Sequence, residues 1–308
     1  MFVFRIRNMK KIKAIWELMR LEHGVMLALA IFIGSIISLQ SAVGLSFETF
    51  PFDKFALTFF VALFLEASTF ALNDYFDLDI DKANKRVDRP LARGDIDPKV
   101  ALYIFILFFP LGIVFSYFVN MTCFVIALIT AIFAIIYDVF LKKIKLLSNF
   151  YIAYVMAIPF VFGSAAVQPS ETMIQTLDPA VVIIALIAFL AGSGREIMKD
   201  VMDFTGDQKQ GVKSFPKYIG LHWSKRVASV FYIIAIGLSM LPFVQSTYGP
   251  YYQNYVYLFF VLVTDILLIV TSAQLLLKKD VDMPKYRKVT LLAIFLGLVS
   301  FFLGAFIG

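Results

Sequence analysis

The sequence predicts an all-α polytopic membrane protein: nine transmembrane helices, the N-terminus in the cytoplasm, residues 1–308 forming a single domain. Three observations predict it. Of 308 residues, 60% are hydrophobic and only 16% are charged, where a soluble domain carries about 25% charged residues. Apolar runs close to the roughly 20 residues that cross a bilayer occur at 21–40, 54–74, 100–118, 121–141, 148–167, 179–198, 226–246, 252–277 and 288–307. The basic residues then alternate between the ends of these runs. Six lie before the first helix, and six, three, seven and five lie after the second, fourth, sixth and eighth, which leaves only Lys54 on the other side. Positive charge marks the cytoplasmic side, and a missed or invented helix would scramble the alternation.

The first run follows a basic segment (Arg5 to Lys13) but is long enough to span, so it is not read as a cleaved signal. The net charge of +6 does not indicate a nucleic-acid partner, because the basic residues sit in short segments between apolar runs. A single cysteine, Cys123, excludes an internal disulfide. Tyr103, Tyr117, Tyr137, Tyr151, Tyr154 and the tyrosines from Tyr248 to Tyr257 fall near helix ends, as an interfacial aromatic belt would. Gly34, Gly112, Gly163, Gly192, Gly194 and Gly297 are positions where helices can approach closely.

The second and sixth runs end in carboxylates. At about 100° per residue, Asp74, Asp81, Asp77 and Asn73 lie on one stripe, whereas Asp79 points away from it. The sixth run leads into Asp200, Asp203 and Asp207, which repeat the spacing of Asp74, Asp77 and Asp81 at a constant offset of 126 residues. Lys199 takes the place of Asn73, and Glu196 lies one turn earlier on the same stripe. Both clusters close even-numbered helices on the cytoplasmic side and are expected to face one cavity, as sites at the interface of internal repeats do.

Carboxylates gathered near a membrane need counter-charge. Hard oxygen donors without His or Cys suit Mg²⁺ or Mn²⁺ rather than zinc. Mg²⁺ completes its shell with water and phosphate oxygens, and basic residues follow each cluster: Lys82, Arg86, Arg89 and Arg93, then Lys209 and Lys213. Together these features describe a diphosphate site.

The motifs resemble the UbiA superfamily of intramembrane prenyltransferases over essentially the whole chain. NDYFDLDID (73–81) matches the first motif of that family, NDxxDxxxD, and DVMDFTGD (200–207) is similar to its second. DRPLARG (88–94) resembles the Arg-Pro-rich loop after the first motif. YDVFLKK (137–143) resembles the Tyr…Lys element of the fourth helix, one residue longer than the common form, which leaves both Lys142 and Lys143 open.

The resemblance implies Mg²⁺-dependent transfer of an isoprenyl group, geranylgeranyl or similar, from its diphosphate to a lipid-soluble acceptor. It implies two ions, with Mn²⁺ a substitute. Asn73, Asp77 and Asp81 would hold one ion with Asp74 in support, and Asp203 and Asp207 the other with Asp200 in support. Arg86, Lys142 and Lys213 would contact the diphosphate, with Arg89, Lys143 and Lys209 beside them. Asp77, Asp81, Asp203, Asp207 and Lys142 would thus carry the catalysis. Glu22, His23, Tyr137 and Asp138 are the candidates for the acceptor, either a glyceryl-phosphate lipid or an aromatic quinone precursor. The implied location is the cell membrane, in contact with membrane lipid, with the active site toward the cytoplasm.

A carboxylate-lined cation transporter would set its acidic residues near the midplane on broken helices. A CDP-alcohol phosphotransferase, another Mg²⁺-dependent head-group transferase, would show a Gly after Asp that NDYFDLDID lacks. Asp77→Ala and Asp207→Ala are expected to abolish prenyl transfer without preventing membrane insertion, and Asp79→Ala to be mild. Radiolabelled product formation by the purified variants is the check.

Overall fold

The computed structural model describes residues 2–21, 23–43, 51–83, 85–141, 144–168, 177–209, 211–278 and 280–307, and the side chains of all of these except 2–9, 41–43 and 209. The chain begins with α1 (Phe2–Met19), α2 (His23–Val43) and α3 (Phe52–Phe76). Two short helices follow, α4 (Leu78–Ala83) and α5 (Pro90–Arg93). Then come α6 (Pro98–Val119), α7 (Met121–Val139), α8 (Lys145–Val167), α9 (Pro179–Lys209), α10 (Phe215–Ser239), the one-turn α11 (Leu241–Val244), α12 (Tyr255–Leu277) and α13 (Met283–Ile307). Nine helical stretches among the described residues are long and apolar enough to cross a membrane, in α2, α3, α6, α7, α8, α9, α10 with α11, α12 and α13. The nine runs read from the sequence are these nine.

Two boundaries differ most from expectation. The sixth span, expected to stop at 198, continues as α9 to Lys209. No residue before Gly211 breaks the helix, so the ladder outlasts the apolar composition. The seventh, expected from 226, starts as α10 at Phe215, bent where Gly220 takes φ 80°. The polar stretch around that bend hides the helix from a hydropathy window.

The chain forms two compact units. One comprises Met1–Ala28 and Phe52–Asp138, the other Leu29–Pro51 and Val139–Gly308. In the first, α3 packs along α6, with Gly112 of α6 close against Leu65 and the Val61 carbonyl of α3. The basic segment ahead of the first span folds as α1, which buries Ala14 and Leu18 in a cluster with Ala71, Leu91, Ile96, Ala101 and Ile104. Small residues at this junction let the helices meet closely.

In the second unit α8 packs on α9, α9 on α10, and α12 on α13. Here α2 and α8 approach backbone to backbone: a Cβ on Gly34 or Gly163 would lie 2.0 Å from the carbonyl oxygen of Phe160 or Ile31. Ser35 Oγ donates to the Gly163 carbonyl at 2.9 Å across the same contact. Of the tyrosines expected in an aromatic belt, Tyr103 and Tyr117 are exposed, whereas Tyr251 and Tyr257 are fully buried inside the protein. Tyr251 donates to the Phe301 carbonyl at 2.8 Å and Tyr257 to the Ser239 carbonyl at 2.6 Å. A buried phenol needs such an acceptor, and these two tie the 246–257 segment to its neighbouring helices.

Candidate functional site

The first acidic cluster lies where α3 passes into α4. The helical ladder continues through this join: the Asp77 amide donates to the Asn73 carbonyl at 3.0 Å, and the Asp81 amide to the Asp77 carbonyl at 2.8 Å. The phase argued from the sequence therefore survives. Asp74 and Asp81 are buried, Asn73 and Asp77 half-buried, and Asp79 is exposed, off the stripe.

Asp74, 2% exposed, receives its counter-charge from two arginines. Its Oδ1 accepts from Arg20 at 2.8 Å and from Arg89 at 2.6 Å. Arg89 Nε also lies 3.8 Å from Asp81. The Arg20 guanidinium stacks 4.2 Å from the centre of the Phe70 ring, and His23, at the start of α2, meets that same ring at 5.7 Å. Asn73 Nδ2 donates to Asp138 Oδ1 at 2.6 Å, so Asp138 is buried as the partner of Asn73. Tyr137 beside it is half-buried.

The loop after α4 is braced by its own charges. Arg86 grips Asp88 through Nε at 2.8 Å and through its second nitrogen at 2.7 Å. That bond holds the Asp88 carboxyl down to about 2 and pushes the Arg86 guanidinium further up. Arg93 binds Asp95 at 2.7 Å and the Val87 carbonyl at 2.8 Å, and it also donates to Glu17 of α1.

The second cluster lies at the end of α9. Asp200, also 2% exposed, accepts from Asn149 Nδ2 at 2.9 Å and from the Phe215 amide at 3.2 Å. Lys145 Nζ sits 3.6 Å from Asp200 and 2.6 Å from Asp207. Glu196 is buried between Lys199 at 2.6 Å and Arg195 at 3.1 Å. Asp203 and Lys213 are exposed. Glu22, Lys142 and Lys143 lie outside the described residues, as does the Lys209 side chain.

The offset of 126 extends well beyond the carboxylates. The Arg86 amide donates to the Asp81 carbonyl and the Lys85 amide to the Lys82 carbonyl, while Val212 donates to Asp207 and Gly211 to Gln208. Both helices thus end in the same left-handed turn, on Lys85 at φ 52° and Gly211 at φ 73°, with the paired bonds of a Schellman cap. Asp74 is reached from Arg89 and Asp200 from Phe215, each 15 residues on. A proline then opens one helical turn, Pro90 and Pro216, and a left-handed glycine closes it, Gly94 and Gly220. Each buried Asp also receives a cation from the start of the preceding span, Arg20 before α2 and Lys145 at the head of α8.

Sequence reasoning missed Arg20, Lys145 and Asn149 as site residues. Extending the 126-residue comparison past the carboxylates would have found the Pro and Gly pairs, but no local pattern points to the cations. Among the described residues no three His, Cys, Asp or Glu side chains stand close enough to share an ion. The donor set still fits a hard cation: it is all oxygen, from carboxylates and the Asn73 amide carbonyl, and Asp74 Oδ2 is buried without a hydrogen-bond partner.

Residues 27–288 match the UbiA prenyltransferase family. The chain belongs to that family. A digeranylgeranylglyceryl phosphate synthase of Archaeoglobus fulgidus is 39% identical over 98% of both chains. A solved structure from work on digeranylgeranylglyceryl phosphate synthase in membranes is 32% identical, covers 96% of this chain and 98% of its own, and superposes with a TM-score of 0.78. A more distant fold neighbour, a UbiA homologue of Archaeoglobus fulgidus bound to DMAPP and Mg²⁺, is 17% identical, covers 93% of this chain and 98% of its own, and gives a TM-score of 0.55. As a UbiA prenyltransferase, this chain is an enzyme of prenyl transfer.

The repeat also yields a stability prediction. A non-glycine residue in the left-handed region costs about 1 kcal/mol, and the repeat position of Lys85 is a glycine. Lys85→Gly is expected to stabilise the first unit by about 0.5 kcal/mol after the extra chain entropy of glycine, whereas Gly211→Lys destabilises the second. Thermal unfolding in detergent is the check, and a lowered Tm for Lys85→Gly contradicts it.

Proposed function

We propose that this enzyme transfers a geranylgeranyl group from its diphosphate to a glyceryl-phosphate lipid, forming an ether. The observation that carries the reading is the end-to-end identity of 39% with a digeranylgeranylglyceryl phosphate synthase. The allylic C–O bond of the diphosphate breaks and its electron pair leaves with the diphosphate. The acceptor hydroxyl oxygen bonds the allylic carbon and gives up its proton, so the products are an ether and inorganic diphosphate.

Asn73, Asp77 and Asp81 would hold one Mg²⁺, and Asp203 and Asp207 a second, with Mn²⁺ a substitute. When bound, Mg²⁺ neutralises the diphosphate and makes it a better leaving group. Arg86, Lys142, Lys143, Lys209 and Lys213 supply cations for the diphosphate and for the phosphate of the acceptor. Arg89 is engaged with Asp74, which supports a role in fixing the loop. Glu22, His23, Tyr137 or Asp138 would orient the acceptor hydroxyl or take its proton. Water has to be kept from the allylic cation, which favours a site within the membrane-embedded bundle.

The alternation of basic residues supports a cytoplasmic N-terminus and an active site toward the cytoplasm in the cell membrane. Each acidic cluster then lies at the cytoplasmic end of its helix, and residues 1–308 are proposed to act as a single catalytic domain. Incubation of the purified protein with Mg²⁺ and radiolabelled geranylgeranyl diphosphate is the test. Label is expected to enter geranylgeranylglyceryl phosphate, and EDTA to stop it. Prenylation of dihydroxynaphthoate or hydroxybenzoate instead would contradict the acceptor.

A further inference from the structure

Lys145 opens α8, and its ammonium stands 2.6 Å from Asp207 and 3.6 Å from Asp200. The two carboxylates depend on it unequally. Asp200 also has Asn149 and the Phe215 amide, whereas Lys145 is the only partner of Asp207 among the described residues. In the first unit Asp74, the repeat counterpart of Asp200, is held by two cations, because Arg20 and Arg89 both donate to its Oδ1. Two planar guanidinium groups on one buried oxygen make a fixed support. A single ammonium on a flexible stem of four carbons is a compact point charge that can turn to another acceptor. Its surroundings leave room for that turn: the Lys145 side chain is 25% exposed, against 2% for Asp200.

We propose that Lys145 is an exchangeable counter-ion. It neutralises Asp207 before the site is loaded, gives way when a divalent cation reaches that carboxylate, and then donates to an oxygen of the substrate diphosphate. This deepens the metal-dependent reading above and rests on it. A divalent cation at Asp207 and an ammonium 2.6 Å from that carboxylate cannot share it without strong repulsion, so loading and release of Lys145 go together. The released charge is then positioned next to the anion that arrives with the metal.

The test measures Mn²⁺ binding to the purified chain by the paramagnetic resonance of free Mn²⁺, without diphosphate, for wild type, Lys145→Gln and Lys145→Arg. Loss of the competing cation is expected to tighten Mn²⁺ binding in Lys145→Gln by roughly threefold to tenfold, the scale of a partly exposed ion pair. The same variant is expected to unfold at lower temperature in EDTA, to recover that loss when Mn²⁺ is added, and to show a raised KM for the isoprenyl diphosphate. Lys145→Arg, whose fork grips the carboxylate more firmly, is expected to bind Mn²⁺ more weakly than wild type. Unchanged Mn²⁺ affinity in the Arg variant overturns the proposal even if the Gln variant does not fold. Unchanged affinity in a folded Gln variant, or a stability loss that Mn²⁺ does not recover, also overturns it and leaves the metal reading standing. A wild-type chain that binds no Mn²⁺ at all overturns both.

Discussion

A carboxylate buried at the end of a membrane-spanning helix has to be given positive charge or hydrogen bonds, because leaving it bare costs several kcal/mol. The site region of this protein is organised around that requirement, met twice. Asp74 and Asp200, each 2% exposed, draw a cation from the start of the preceding span and a donor from 15 residues further along the chain. The donor in one repeat is the Arg89 side chain and in the other the Phe215 amide. Each bond turns the chain back over the end of its helix, and the proline and left-handed glycine that follow fix the next turn.

The other carboxylates of the two clusters differ from these anchors in exposure. Asp77 and Asp203, each three residues beyond an anchor, are half-buried and exposed respectively. Asp79, off the stripe, is exposed and has no such arrangement around it. The cations divide in the same manner. Arg20 and Arg89 hold the buried Asp74, Arg93 stiffens the loop through Asp95 and Glu17, Arg86 is paired only with the exposed Asp88, and Lys145 is shared between Asp200 and Asp207.

Much of this was legible in the sequence because it depends on period. The nine spans follow from hydropathy, and the stripe containing Asp74, Asp77 and Asp81 but not Asp79 follows from the helical phase. The repeat follows from equal spacing. What escaped depends on distance in the fold. Nothing near Arg20 says that it meets Asp74, 54 residues away, and nothing near Lys145 says that it meets Asp207, 62 residues away. Tyr251 and Tyr257 looked interfacial because they flank a span, yet carbonyls of Phe301 and Ser239 take them inside. The last turns of α9 escaped because polar residues do not end a helix when no breaker follows them.

The most direct test of this division of labour compares two neighbours on α9. Asp200→Asn and Asp203→Asn are each measured for thermal unfolding in detergent and for prenyl transfer. Asp200→Asn should lower Tm by several degrees, as loss of a buried charge partner does, and Asp203→Asn should keep its Tm within about one degree while losing transfer. A stable Asp200 variant, or an Asp203 variant with undiminished transfer, would contradict the account.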